Sequence, residues 1–157
     1  MKLVIVVPVF NDWVSLDRLL KEVRSVVVDR DMEVSVLVVN DDSSVAPPGE
    51  WHSEIPCKIL HLTCNLGHQR AIAIGLSQLA ESFTFDAVLV MDADGEDKPQ
   101  DIVHLLEASQ QNPDAIVVAR RDKRSEGKAF RLGYQLYQWI FRLFTGQRLP
   151  FGNFCLI

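Results

Sequence analysis

An α/β fold, with a largely parallel sheet covered by helices on both faces, is the class this sequence predicts, and three observations predict it. Apolar runs of strand length alternate along the chain with segments of helical periodicity. The runs are apolar at consecutive rather than alternate positions, as in Lys2-Leu-Val-Ile-Val-Val7 and Val88-Leu-Val-Met91, which marks strands buried on both faces. Polar and acidic clusters follow three of these runs, at Asn11-Asp12, Asp41-Asp42 and Asp92-Asp94. Open α/β sheets bind ligands beyond the carboxyl ends of their strands, so one crevice would collect all three.

The elements follow in order. Residues 2–7 form the first strand, stopped by Pro8, and 8–12 form the loop at its end. Ser15 is the expected N-cap of a helix that carries Leu16, Leu19, Leu20, Val23 and Val27 on one face. Residues 33–39 form the second strand, and 45–56, with three prolines and a glycine, an irregular loop. A third strand covers 58–63, then Asn65-Leu-Gly67 turns into a helix through Arg70, Ile72, Ile74 and Leu79. The fourth strand covers 86–91. Pro99 is the expected first residue of a helix that ends near Gln111, at Asn112-Pro113. A fifth strand over 114–119, a long amphipathic helix over 126–144 and a strand beginning at Phe151 complete the pattern.

With 157 residues the chain is the size of one domain, and 48% hydrophobic with 24% charged residues is ordinary for a soluble globular protein. No run is long enough to span a bilayer, and the N-terminus has no signal-peptide pattern. Cys57, Cys64 and Cys155 lack zinc-like spacing and are odd in number, which points to reduced thiols in a cytosolic protein. The net charge of −5 is unevenly spread. Arg120 to Arg148 holds eight Lys/Arg against two acids, a net of +6, whereas the residues before it hold eight against nineteen, a net of −11. That balance argues against nucleic-acid binding. It suits a metal-binding front joined to a segment that meets phosphate or an anionic membrane, or simply a solvated basic helix.

Asp92 and Asp94 stand at the end of the fourth strand with one small residue between them. In extended chain, residues i and i+2 project to the same side, so both carboxylates would face one point. Hard oxygen ligands of this kind suit Mg²⁺ or Mn²⁺, which also takes ligands from a substrate diphosphate; the alternative is a polar turn. After the first strand there is neither a glycine-rich dinucleotide turn nor a phosphate-loop Gly-Lys-Ser/Thr, which argues against a dehydrogenase or a P-loop enzyme.

Six short motifs, Val7-Pro-Val-Phe-Asn11, Val39-Asn-Asp-Asp-Ser43, Asn65-Leu-Gly-His-Gln69, Met91-Asp-Ala-Asp94, Val118-Ala-Arg-Arg121 and Gly152-Asn-Phe-Cys-Leu156, occur in an order that spans nearly the whole chain. In them the sequence resembles a family 2 glycosyltransferase, and within that family the polyprenol-phosphate branch of dolichol- and undecaprenyl-phosphate sugar transferases. The resemblance implies a three-layer α/β/α GT-A fold, Rossmann-like, that binds a UDP- or GDP-linked sugar with Mg²⁺ or Mn²⁺ and passes the sugar to a polyprenyl phosphate with inversion. It implies that Pro8, Val9, Phe10, Asn11, Asp12, Asp41 and Asp42 hold the nucleotide. Asp92, Ala93 and Asp94 would meet ribose, diphosphate and metal, with Asp92 and Asp94 as the metal ligands. Gly67, His68 and Gln69 would open a helix beside the donor sugar, and Arg120, Arg124 and Arg131, with Asn153, would serve the acceptor side. Residues 1–119 would be the donor half of a single domain and 120–157 the start of a truncated acceptor half.

Four positions depart from the family's pattern: Asp12 for Glu, Asp42 for Gly, Gly95-Glu96 for Leu-Gln, and Asn153 for Asp. An amide cannot act as a general base, but a phosphate monoester, with its second pKa at about 6, needs positioning more than deprotonation. A transferase that uses a hydroxyl acceptor in polysaccharide or glycan synthesis is the first rival; it needs a carboxylate base, for which Asp97 remains a candidate. A non-catalytic nucleotide-sugar-binding module is the second. His68 is read as functional or as a helix-start packing residue. The aromatic and basic residues of 126–148 either contact a membrane surface or pack on the sheet, and the first option would put the protein at the cytoplasmic face of a membrane.

Overall fold

In the computed structural model, residues 1–48, 53–82, 84–119 and 153–157 are described. The helix expected over 126–144 and the acceptor-side arginines Arg120, Arg124 and Arg131 lie outside them. Six strands form one sheet in the order β3-β2-β1-β4-β6-β5. They are β1 (Lys2–Val9), β2 (Glu33–Asn40), β3 (Cys57–His61), β4 (Ala87–Val90), β5 (Val117–Val118) and β6 (Cys155–Leu156). The pairs β1–β2, β1–β4 and β2–β3 are parallel, and β6 runs antiparallel between β4 and β5. Helices α1 (Trp13–Val27), α2 (His68–Ser82) and α3 (Asp101–Gln111) cover the sheet.

The consecutive apolar runs acquire their meaning here. Leu3, Ile5, Val7 and Val9 join Val34, Val36 and Val38 under the buried faces of α1 and α3, with Leu16, Leu20, Val23, Ile102 and Leu105. The intervening Val4 and Val6, with Leu37, Val39 and Val88, meet Ala71 and Leu79 of α2 on the other face. Side chains alternate across a strand, so a strand with a helix layer on each side must be apolar at every position.

Four local expectations differ from the structure. Pro8 lies inside β1 and pairs with Val39. Lys2 and Val6 offer their carbonyls to the β4 side, so Pro8 turns its missing N–H that way too, past the point where β1–β4 pairing ends at Val90. Asp12 rather than Ser15 caps α1, because its carboxylate accepts the Ser15 N–H at 3.1 Å from one turn earlier. Pro99 sits in the turn before α3, whose carbonyl accepts from Ile102, and the helix begins at Asp101. The fifth strand is reduced to Val117–Val118, the length over which β6 pairs with it.

Two stability predictions follow from this packing. A Cβ on Gly75 of α2 would lie 2.7 Å from a γ-methyl of Val39 and 2.9 Å from one of Val6, both on stiff, buried, β-branched side chains. Gly75→Ala should therefore destabilise the fold by about 1–2 kcal/mol in urea titration, although alanine is the better helix former by ~1 kcal/mol. Burial pushes the Cys57 thiol up to about 11 from 9.0, against a smaller opposing effect of its Ser53 hydrogen bond. The stabilisation from burying the neutral thiol is complete below pH 9.0 and is lost as the pH rises towards about 11. Thermal midpoints should fall more steeply across that window in the wild type than in Cys57→Ala.

Candidate active site

Chain order places β2 and β3 on one side of β1 and β4 on the other, so the sheet changes direction between β1 and β4. The crevice lies at that switch point. It has about 180 Å³ of space and is lined by Pro8, Val9, Phe10 and Asp12 from the end of β1, Asp92, Ala93 and Asp94 from the end of β4, and His68 from the start of α2. Ligand pockets usually hold roughly 300–1,000 Å³, so the described residues enclose only part of a space of that size.

The loops beneath the crevice are tied to one another. Asn11, held at a φ of 57°, donates its N–H to Ser43 Oγ at 2.8 Å. Its side-chain oxygen accepts from Ser44 Oγ and from the Val45 N–H. Trp13 is buried and its indole N–H reaches the Val45 carbonyl at 2.7 Å. Asn40, at the end of β2, accepts the Ser43 N–H on its side-chain oxygen. These bonds hold the β1 and β2 loops as one unit.

Asp41 is only 3% exposed, and its two oxygens accept the N–H groups of Leu66 and Gly67 at 2.8 and 2.9 Å. The carboxylate thus fixes the turn in which Gly67, at a φ of 86°, redirects the chain into α2. Asp42, at a φ of 58°, is exposed beside it. The structure therefore brings Asp12 to the crevice while it also caps α1, and engages Asp41 and the side chain of Asn11 in bonds that brace the neighbouring loops rather than line it.

On the opposite wall, Asp92 has a side chain 14% exposed and Asp94 faces solvent. The Asp94 carboxylate accepts the Glu96 N–H at 2.8 Å, which closes the turn through Gly95. Asp97 is 2% exposed and its Oδ2 accepts the Asp92 N–H at 2.8 Å. In this place Asp97 braces the backbone of Asp92. Its bracing role was missed in the sequence because an acid two residues before proline looks like any turn residue. Burial, with a smaller effect of the nearby Asp97 charge, also raises the Cys155 thiol above its ordinary value.

Asn153, two residues before β6, joins this wall. Antiparallel pairing sets Leu156 against Leu89 and Cys155 against Val90, and the same register run on sets Asn153 against Asp92. The Asn153 amide lies 3.2 Å from Asp92 Oδ2 and 2.8 Å from His68 Nε2, and its oxygen accepts from Gln69 at 2.8 Å. His68 Nε2 is also 3.2 Å from Asp92 Oδ1, yet that buried oxygen has no hydrogen-bond partner among the described residues. An orphaned carboxylate oxygen in this position fits a cation. No group of three His, Cys, Asp or Glu side chains among the described residues forms a metal cage, so an ion held by Asp92 would complete its shell with oxygen ligands from other sources, water included.

A mostly parallel sheet with its acidic loops gathered at the β1/β4 switch has the architecture of GT-A glycosyltransferases. Mannosyltransferase PcManGT of Pyrobaculum calidifontis, solved with GDP-Man and Mn²⁺, superposes with a TM-score of 0.59 at 19% identity, covering 76% of this chain and 35% of that one. S. aureus TarS 1-349 does so with a TM-score of 0.55 at 17% identity, covering 82% and 39%. The profile of glycosyl transferase family 2 matches residues 4–155, and the chain belongs to that family. It is 30% identical over 147 residues to the prophage bactoprenol glucosyl transferase homolog of Escherichia coli K12, across 91% of this chain and 46% of that protein. It is 29% identical over 133 residues to the undecaprenyl-phosphate 4-deoxy-4-formamido-L-arabinose transferase of Erwinia tasmaniensis, across 80% and 39%. The chain spans less than half the length of these relatives.

The bracing role of Asp41 is open to test by denaturant unfolding. Asp41→Ala leaves the Leu66 and Gly67 N–H groups without their carboxylate and should cost on the order of 3 kcal/mol, whereas Asp41→Asn keeps one acceptor and should cost about half as much.

Proposed function

We propose that this chain binds a nucleotide-diphosphate sugar in the β1/β4 crevice and that its function is transfer of the sugar to a polyprenyl phosphate. The observation that carries the reading is the convergence of the unpartnered Asp92 Oδ1, the exposed Asp94 carboxylate and the His68 end of α2 on one crevice at the sheet's switch point. The names of the relatives support a polyprenol-linked acceptor.

Each part has a task. Phe10 and the backbone of Pro8 and Val9 offer a surface for the base and ribose, with Asp12 and Asp42 as hydrogen-bond acceptors at its edge. The start of α2, at Gly67, His68 and Gln69, faces the donor sugar and diphosphate, where a helix N-terminus favours negative charge. Asp92 and Asp94 would hold Mg²⁺ or Mn²⁺. When bound, the ion supplies Lewis-acid stabilisation of the charge on the leaving diphosphate.

The reaction is a single in-line displacement with inversion. An acceptor phosphate oxygen forms a bond to the anomeric carbon as the bond to the nucleoside diphosphate breaks, and the electron pair leaves with the diphosphate. A phosphate monoester is largely dianionic at neutral pH, its second pKa being about 6, so no base has to remove a proton. That agrees with Asn153, an amide already committed to three partners, at the edge of the site. Arg120, Arg124 and Arg131 would bind the acceptor phosphate as guanidinium forks. The basic and aromatic stretch over 126–148 would bring the site to the cytoplasmic face of a membrane. Among the described residues no helix is long and apolar enough to cross one.

Calorimetric titration with UDP and with GDP, each with and without Mn²⁺, tests the donor site. One nucleotide should bind in a metal-dependent manner, and Asp94→Ala should weaken it at least about tenfold, ~1.4 kcal/mol. Folded protein that binds neither nucleotide would overturn the reading.

A further inference from the structure

The contacts of Asn153 leave little freedom in how their protons are arranged. Asp92, when ionised, has only acceptors, so the Asn153 atom 3.2 Å from its Oδ2 must be the NH₂ group. This sets the amide's orientation on chemistry rather than on shape, which does not distinguish its oxygen from its nitrogen. The Asn153 oxygen then faces Gln69, and Gln69 must present its own NH₂ there, at 2.8 Å. The same Asn153 NH₂ lies 2.8 Å from His68 Nε2, so that ring nitrogen must bring a lone pair and the ring proton must sit on Nδ1. With a lone pair on Nε2, the 3.2 Å approach to Asp92 Oδ1 is between two acceptors. Oδ1 itself has no hydrogen-bond partner among the described residues, although a histidine stands beside it.

We propose that Asn153 is a positioning residue whose amide polarity sets the state of the site. By donating to Asp92 and His68 and accepting from Gln69, it ties the first turn of α2 to the β4 loop. It fixes His68 as the Nδ1–H tautomer and keeps Asp92 Oδ1 free for a cation. An aspartate at this position would keep the contact to Gln69, lose both donors and place a second carboxylate against Asp92, as the antiparallel register requires. The choice of amide over acid is thus a choice between a metal-free site that is stable and one that needs a cation to hold it together. The catalytic meaning of this network rests on the donor-site function proposed above; the network itself does not.

Two measurements test the proposal without turnover. In long-range ¹H–¹⁵N spectra at about pH 8, the His68 signals, assigned by their loss in His68→Ala, should show a protonated Nδ1 and a bare Nε2. A proton on Nε2 would mean that this nitrogen cannot accept from Asn153, and would overturn the proposal. The second measurement is the melting temperature of wild type, Asn153→Ala and Asn153→Asp, each with and without Mn²⁺. Without metal, Asn153→Asp should melt below Asn153→Ala, and Mn²⁺ should raise it by more than it raises either of the others. If Asn153→Asp and Asn153→Ala respond alike in both conditions, the residue only fills space and the proposal fails. Should Asn153→Asp not fold, the wild-type spectrum decides alone. Failure of UDP and GDP to bind would remove the proposed function and leave the tautomer result standing.

Discussion

Everything in this molecule hangs from β1, a strand enclosed on four sides. It is hydrogen-bonded to β2 along one edge and β4 along the other, with α1 and α3 on one face and α2 on the opposite face. Leu3 to Val7 are at most 3% exposed as a result. No polar side chain can be carried in such a strand without a partner, so the chemistry must begin where burial ends. Since β1, β2 and β4 are parallel, their carboxyl ends fall at one edge of the sheet, and polar loops separated by 30 to 80 residues of sequence meet there.

Burial also sorts the acids at that edge into two groups. Asp41 and Asp97, at 3% and 2% exposed, spend their oxygens on backbone N–H groups that the loops would otherwise leave unsatisfied. Each stands behind a neighbour that reaches the crevice: Asp41 sets the turn that presents His68, and Asp97 sets the backbone of Asp92. Such bracing costs no charge at the crevice itself. Of the Asp92 carboxylate it leaves one buried oxygen, Oδ1, without a hydrogen-bond partner among the described residues.

The antiparallel strand β6 adds what parallel strands cannot. A further parallel strand beside β4 would bring the residue after its end to the ligand edge. An antiparallel one brings the residues before its start, and here Asn153 stands two residues ahead of Cys155. A neutral amide in that place links two loops and a helix without adding to the negative charge of Asp92 and Asp94. The cost is that position 153 itself offers no proton acceptor strong enough to act as a base.

The class of fold was legible in the sequence because burial on both faces leaves a mark at every position of a central strand, as residues 3–7 and 88–91 show. The candidate carboxylates were legible for a related reason: Asp92 and Asp94 directly follow such a run, and the geometry of extended chain puts them on one side. Local capping was less so, because Asp12 and Ser15 are both good caps and only the path of the backbone decides which one closes the helix. Which acids face the crevice and which brace it could not be read at all. Asp41 and Asp42 are adjacent and chemically the same, and what separates them is a burial that long-range packing sets. Asn153 shows the limit most clearly. Its identity is written in the chain, but its partners lie 61 to 85 residues away, and only the register of β6 on β4 brings them into contact.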